Sequence, residues 1–153
     1  MHFMDVNLLA VLVCAIATMA IGFLWYSPAL FAKPWVKEMG YDMNDKAAMD
    51  KMKKSAGPAY GASFVGSLVT AMVLGKLLNA LSRHSDRIWH IVATPRPVLY
   101  GVMVGVAVWL GFVATVQLTG VLFANQSGKL FAINTGYQLV CYMAMGAILA
   151  VWK

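Results

Sequence analysis

Residues 98–124 and 130–152 form two apolar runs without a single charge, joined by Asn125-Gln126-Ser127-Gly128. This pair constrains the chain more than any other feature. A helix rises about 1.5 Å per residue and a hydrocarbon core is about 30 Å thick, so roughly 20 uncharged residues cross it. In lipid each backbone N–H and C=O must be satisfied internally, which leaves the α-helix as the form an isolated apolar run can take. The two runs therefore read as a membrane hairpin with a tight turn. The turn residues match a glycosylation sequon, but the turn alone accounts for Asn125, Gln126 and Ser127.

Two further apolar runs precede the hairpin. The first, 6–32, has no charge and no basic N-terminal flank, so it reads as a retained span and not a cleaved signal peptide. Ala10, Cys14, Thr18 and Gly22 recur at every fourth position and make a flat face for close helix approach. Pro28 disfavours helical geometry at Ser27, and the helix is expected to end at Trp25-Tyr26-Ser27-Pro28. Between 33 and 55 the chain is polar. Pro34 and Gly40 bracket one short interfacial helix, and Asp42 or Asn44 is expected to cap a second.

Pro58 is expected to open the second span. Ala59, Ser63, Ser67, Ala71 and Gly75 recur along it with Ala62, Gly66 and Thr70 beside them, a surface small enough to predict a central, tightly packed helix. Lys76 lies about one turn from its end and reads as a snorkelling cation. The connector 82–97 carries Arg83, Arg87 and Arg96 and the surface-seeking patch Ile88-Trp89-His90-Ile91-Val92. Gly101 and Gly105 form a G-x-x-x-G pair in the third span.

These readings predict an all-α fold in one domain: a polytopic membrane protein with four transmembrane helices in a bundle, spans near 6–27, 58–81, 98–122 and 130–152, and short interfacial helices in the first connector. Of its 153 residues 61% are hydrophobic and 12% charged, which excludes an ordinary soluble domain. The net charge of +6 comes from Lys and Arg between the runs, where headgroups lie, so it speaks for topology and lipid contact and against nucleic acid. Cys14 and Cys141 sit within apolar runs and read as packing residues.

Chemistry is sparse. Asp5, Glu38, Asp42, Asp45, Asp50 and Asp86 and the histidines His2, His84 and His90 all fall outside the spans, with no metal-ligand spacing. No catalytic, cofactor or metal site is predicted, and a carrier that relies on an intramembrane carboxylate is disfavoured. Polarity within the spans is concentrated in Ser63, Ser67, Gln117, Asn134, Tyr137, Gln138 and Tyr142. Gln117 and Gln138 lie at similar distances from the hairpin turn and hence at similar depth, alongside Thr18 and Gly22. Two readings stay open for this patch. It glues helices through hydrogen bonds of about 0.6 kcal/mol each, or it forms a polar vestibule opening toward the first and third connectors for a small solute or lipid headgroup.

Several short motifs appear in order along the chain: Leu24-Trp25-Tyr26-Ser27-Pro28 followed by Leu30-Phe31 and Trp35, Ala59-Tyr60-Gly61, Trp109-Leu110-Gly111-Phe112, Asn134-Thr135-Gly136-Tyr137 and Met145-Gly146-Ala147-Ile148-Leu149. Together they resemble the small bacterial integral-membrane family catalogued as domain of unknown function 1761. The resemblance implies four membrane helices, a location in the bacterial inner (cytoplasmic) membrane, and no assigned activity. The function expected is a homo-oligomeric small-solute or lipid binding or permeation protein. The alternatives are an accessory or assembly subunit among other membrane subunits and, more distantly, a lipid-modifying enzyme.

Four spans put both termini on one side of the membrane, opposite Lys51 and Lys129. With Cys14 and Cys141 replaced, single cysteines at positions 2 and 129 should label from opposite sides with a membrane-impermeant maleimide. Labelling of both from the same side would overturn this topology.

Overall fold

A computed structural model describes residues 6–42, 44–84 and 97–152. Helices α1 (Leu8–Trp25), α2 (Ala32–Glu38), α3 (Lys46–His84), α4 (Pro97–Val108), α5 (Thr115–Phe123) and α6 (Gly128–Val151) account for nearly all of them, and no strand occurs among the described residues. A π-helical segment, Trp109–Ala114, joins α4 to α5 without a break. Three helical stretches are long and apolar enough to cross a membrane: Leu8–Trp25, Lys46–Ser82 and Pro97–Phe123. The 24-residue α6 carries Asn134, Tyr137 and Gln138 in its first half and Tyr142 just past its middle, and is not one of them. The patch 88–92 and the side chains of His84, Asp86 and His90 lie outside the described residues.

Local chemistry sets the boundaries. The Asn7 carboxamide oxygen accepts from the backbone N–H groups of Leu9 and Ala10 at 3.0 and 3.3 Å and caps α1. α1 stops at Trp25, before Ser27-Pro28, and α2 folds back toward the start of α6, with Gly40 beyond it in the left-handed region at φ +78. After α5 the chain reverses at Asn125, which takes φ 51, a conformation asparagine tolerates. The Gln126 N–H donates to the Gly120 carbonyl at 3.2 Å, and Ser127 caps α6.

Two expectations for the second span are corrected. The helix does not start at Pro58: α3 begins at Lys46 and runs through the proline, which lies inside it. A proline removes one backbone hydrogen bond, but Ala47, Ala48, Lys51, Met52, Lys53 and Lys54 before it are strong helix formers and carry the helix to the span. The cap is Asp45, whose carboxylate accepts from Ala47 and Ala48 at 2.9 and 3.1 Å, in place of Asp42 or Asn44. At 39 residues α3 is about 58 Å long, nearly twice a hydrocarbon core. Nor is it the central element. Its first half is largely exposed, and a Cβ at Gly57, Gly61 or Gly66 would meet nothing within 4 Å.

The central helix is α6, which packs against every other helix and the π segment. Its closest neighbour is α4. A Cβ on Gly101 would stand 2.0 Å from the Gly146 carbonyl oxygen, one on Gly146 would stand 2.1 Å from that of Gly101, and one on Gly105 would stand 2.3 Å from the Tyr142 carbonyl oxygen. The G-x-x-x-G pair is therefore consumed within the chain and does not present a face to another copy. On the other side of α6 the predicted α1 face is buried: Ala10 and Cys14 are fully enclosed, Thr18 is 1% exposed, and the Cys14 thiol donates to the Met145 carbonyl at 3.8 Å. Val6, Ala10, Val11 and Cys14 of the N-terminal stretch meet Ala71, Leu74 and Leu78 of α3, Val104 of α4 and Met145 and Leu149 of α6. This apolar core fills the half of the bundle that holds the start of α1 and the end of α6.

Gly101→Leu or Gly146→Leu should lower unfolding stability in mixed micelles by upwards of about 3 kcal/mol, because the side chain would meet backbone that cannot move aside. Gly61→Ala, which enters open space, should be neutral or stabilise by up to about 1 kcal/mol. Equal stability of Gly101→Leu and the unmodified protein would refute the α4–α6 contact.

Candidate functional site

The half of the bundle toward the first and third connectors is built from polar contacts to α6. Trp25 Nε1 donates to the Ile133 carbonyl at 3.0 Å, and Trp109 Nε1 to the Thr135 carbonyl at 2.9 Å. Indole N–H groups turned away from solvent need an acceptor, and for these half-buried rings the α6 backbone supplies it from two sides. Gly136 makes room: a Cβ there would stand 3.2 Å from the Trp25 ring. The Asn134 carboxamide oxygen accepts from the Tyr26 hydroxyl at 3.0 Å and from Trp35 Nε1 at 3.2 Å, tying the end of α1 and the helix α2 to α6. Tyr26 also packs against the rings of Trp35 and Tyr137, at 5.5 and 5.4 Å between centroids. Lys129 and Glu38 approach to 3.9 Å at the rim, where the exposed lysine contributes little.

One turn deeper lies a cleft of about 240 Å³. α6 forms its floor with Tyr137, Gln138, Cys141, Tyr142 and Met145; α3 forms one wall with Ser63, Gly66, Ser67 and Thr70; Thr18 of α1 and Val113 of the π segment complete it. Tyr137 is held by its hydroxyl, which donates to the Thr18 carbonyl at 3.2 Å. Gln138 is held by Gln117, whose amide Nε2 donates to its Oε1. Gln138 so held takes its place in the lining. The lining offers hydroxyl donors and acceptors and an amide, and contains no charged side chain.

Five of the seven residues singled out from the sequence, Ser63, Ser67, Tyr137, Gln138 and Tyr142, meet in this lining. Gln117 stands behind it as the partner of Gln138, and Asn134 faces α1 and α2 outside it. Trp25, Tyr26 and Trp35, which the sequence marks only as the end of a span and part of a motif, turn their polar atoms inward to α6. Gly66 and Thr70 read from the sequence as packing residues, and Val113 carries no signal there. A hydroxyl at Thr70, seven residues from Ser63 and so on the same helix face, was the available signal. Val113 is brought in by the π segment, which no residue pattern announces.

Asn134→Leu leaves two donors, Tyr26 and Trp35, without an acceptor and should cost about 1–3 kcal/mol. The double replacement Gln117→Leu with Gln138→Leu removes both partners together and should cost less than about 1 kcal/mol. Thermal unfolding in detergent compares them, and a larger loss for the double variant would contradict the arrangement.

No curated protein and no solved structure matches the chain. Its sequence does match a family model, described as Protein of unknown function (DUF1761), over residues 9–150. That match spans the helices and all the motifs that carry the cleft, and the chain belongs to this family.

Proposed function

We propose that this chain is a four-span membrane protein that binds or passes a small hydrogen-bonding molecule in the cleft between α3, the π segment and α6. The observation that carries the reading is the cleft itself, a volume of about 240 Å³ lined by hydroxyl and amide groups within helices otherwise apolar enough to cross a membrane. Polar groups inside a bilayer are costly unless partnered, and a cleft lined by them is matched by an occupant that forms hydrogen bonds. The fourth span is α6. Its polar side chains point at protein partners, namely Tyr26, Trp35 and Gln117, so its lower hydropathy does not keep it out of the membrane.

In this reading the protein lies in the bacterial inner membrane as a homo-oligomer, and the exposed face of α3 around Gly57 and Gly61 supplies the surface for a second copy, since Gly101 and Gly105 are already occupied. The competing reading, an accessory subunit of a larger membrane complex, draws on the same α3 face and on the length by which α3 exceeds a hydrocarbon core.

Extraction in native lipid with a styrene–maleic acid polymer separates the two. Several equal chains with a co-purifying small molecule, depleted at least about fivefold by Ser67→Leu, the effect of roughly 1 kcal/mol, is the expected outcome. Stoichiometric foreign chains with no small molecule would replace this reading with the accessory one.

A further inference from the structure

We infer, resting on the cleft as a binding site, that its ligand is an uncharged lipid with a hydroxyl or carbonyl head, which enters sideways from the bilayer between α3 and the π segment. Three observations lead there. The first is the direction of the opening. α3 and α4 are joined where the Tyr100 hydroxyl reaches the Leu78 carbonyl at 3.4 Å, and the apolar core closes that end of the bundle. Away from the joint, Ser63 and Gly66 on one wall are exposed, a Cβ at Gly66 or at Gly111 would touch nothing within 4 Å, and Phe112 stands 74% exposed on the opposite side. The gap is thus in the flank of the bundle.

The second is depth. Gln138 lies ten residues past Gly128, the start of α6, which places it about 15 Å along the helix and near the middle of a hydrocarbon core about 30 Å thick. A flank opening at that level faces acyl chains, and what reaches it is dissolved in the membrane.

The third is the lining. Ser63, Ser67 and Thr70 oppose Tyr137, Gln138 and Tyr142, offering donors and acceptors without a charge. A phosphate or ammonium head would arrive there without a counter-charge, at a cost that hydrogen bonds do not offset. A neutral hydroxyl or carbonyl is matched. About 240 Å³ corresponds to roughly eight waters at about 30 Å³ each, enough for a head and a few carbons. The remaining chain lies along exposed Leu110 and Phe112.

Photolabelling of the full chain in lipid nanodiscs tests this with three diazirine probes: a long-chain primary alcohol, the same chain ending in phosphate, and a short water-soluble diol. The alcohol should label the peptides holding Ser63 to Thr70 and Val113 at least about fivefold more than the phosphate probe, the ratio that roughly 1 kcal/mol gives. Gly66→Leu, whose Cβ enters open space, fills the mouth and should abolish that labelling at unchanged melting temperature, while Gly66→Ala should retain it. Equal labelling by the phosphate probe, or labelling by the diol alone, would overturn the lateral lipid and leave the cleft as a binding site. Absence of cleft labelling by all three probes, with the cleft cross-linked to a second copy, would overturn both.

Discussion

The contact between Gly101 and Gly146 governs the arrangement of the bundle. Each backbone carbonyl occupies the space where the other residue would carry a side chain, so α4 and α6 approach as closely as two helices can. Where helices lie in lipid no hydrophobic force draws them together, and close packing of small residues takes its place. Once α4 is seated, one side of α6 is taken, and α1 and α3 are left to cover the rest. The small face of α1 and the Val6 to Leu149 core complete the enclosure.

Enclosure is what permits α6 to be polar. Asn134, Tyr137 and Gln138 would be expensive facing acyl chains, yet each finds a partner supplied by a neighbouring element: Tyr26 and Trp35, the Thr18 carbonyl, and Gln117. The indoles of Trp25 and Trp109 add donors to α6 carbonyls from either side. The short helix α2 is tied to α6 through the same network, so polarity in α6 also organises the connector that follows α1.

The bundle is consequently divided along its length. One half is packed with Val, Leu, Ala and Met side chains and leaves little space; the other is assembled from directional hydrogen bonds, whose geometry does not fill space evenly. The cleft occurs where the divergence of α3 from the π segment meets this second kind of packing. π-helical insertions recur at functional sites in helical proteins, and here one brings Val113 into the lining.

The sequence alone determined an all-α chain with long apolar helices, three of them apolar enough to cross a membrane, because missing charges over about 20 residues depend on no partner. It also determined the buried face Ala10, Cys14 and Thr18, whose spacing follows from helix geometry, and the depth match of Gln117 with Gln138, which follows from counting residues from one turn. Other features depended on which surfaces meet. A G-x-x-x-G pair reads the same whether its partner is α6 or another copy, and only the fold assigned Gly101 to Gly146. Ser63, Tyr137 and Asn134 are all polar residues in apolar runs, and helix rotation decided that the first two line the cleft while Asn134 serves Tyr26 and Trp35. The inward turn of the tryptophans and the passage of α3 through Pro58 belong to the same class, since tertiary contacts and neighbouring helix propensity override the local preference of the single residue.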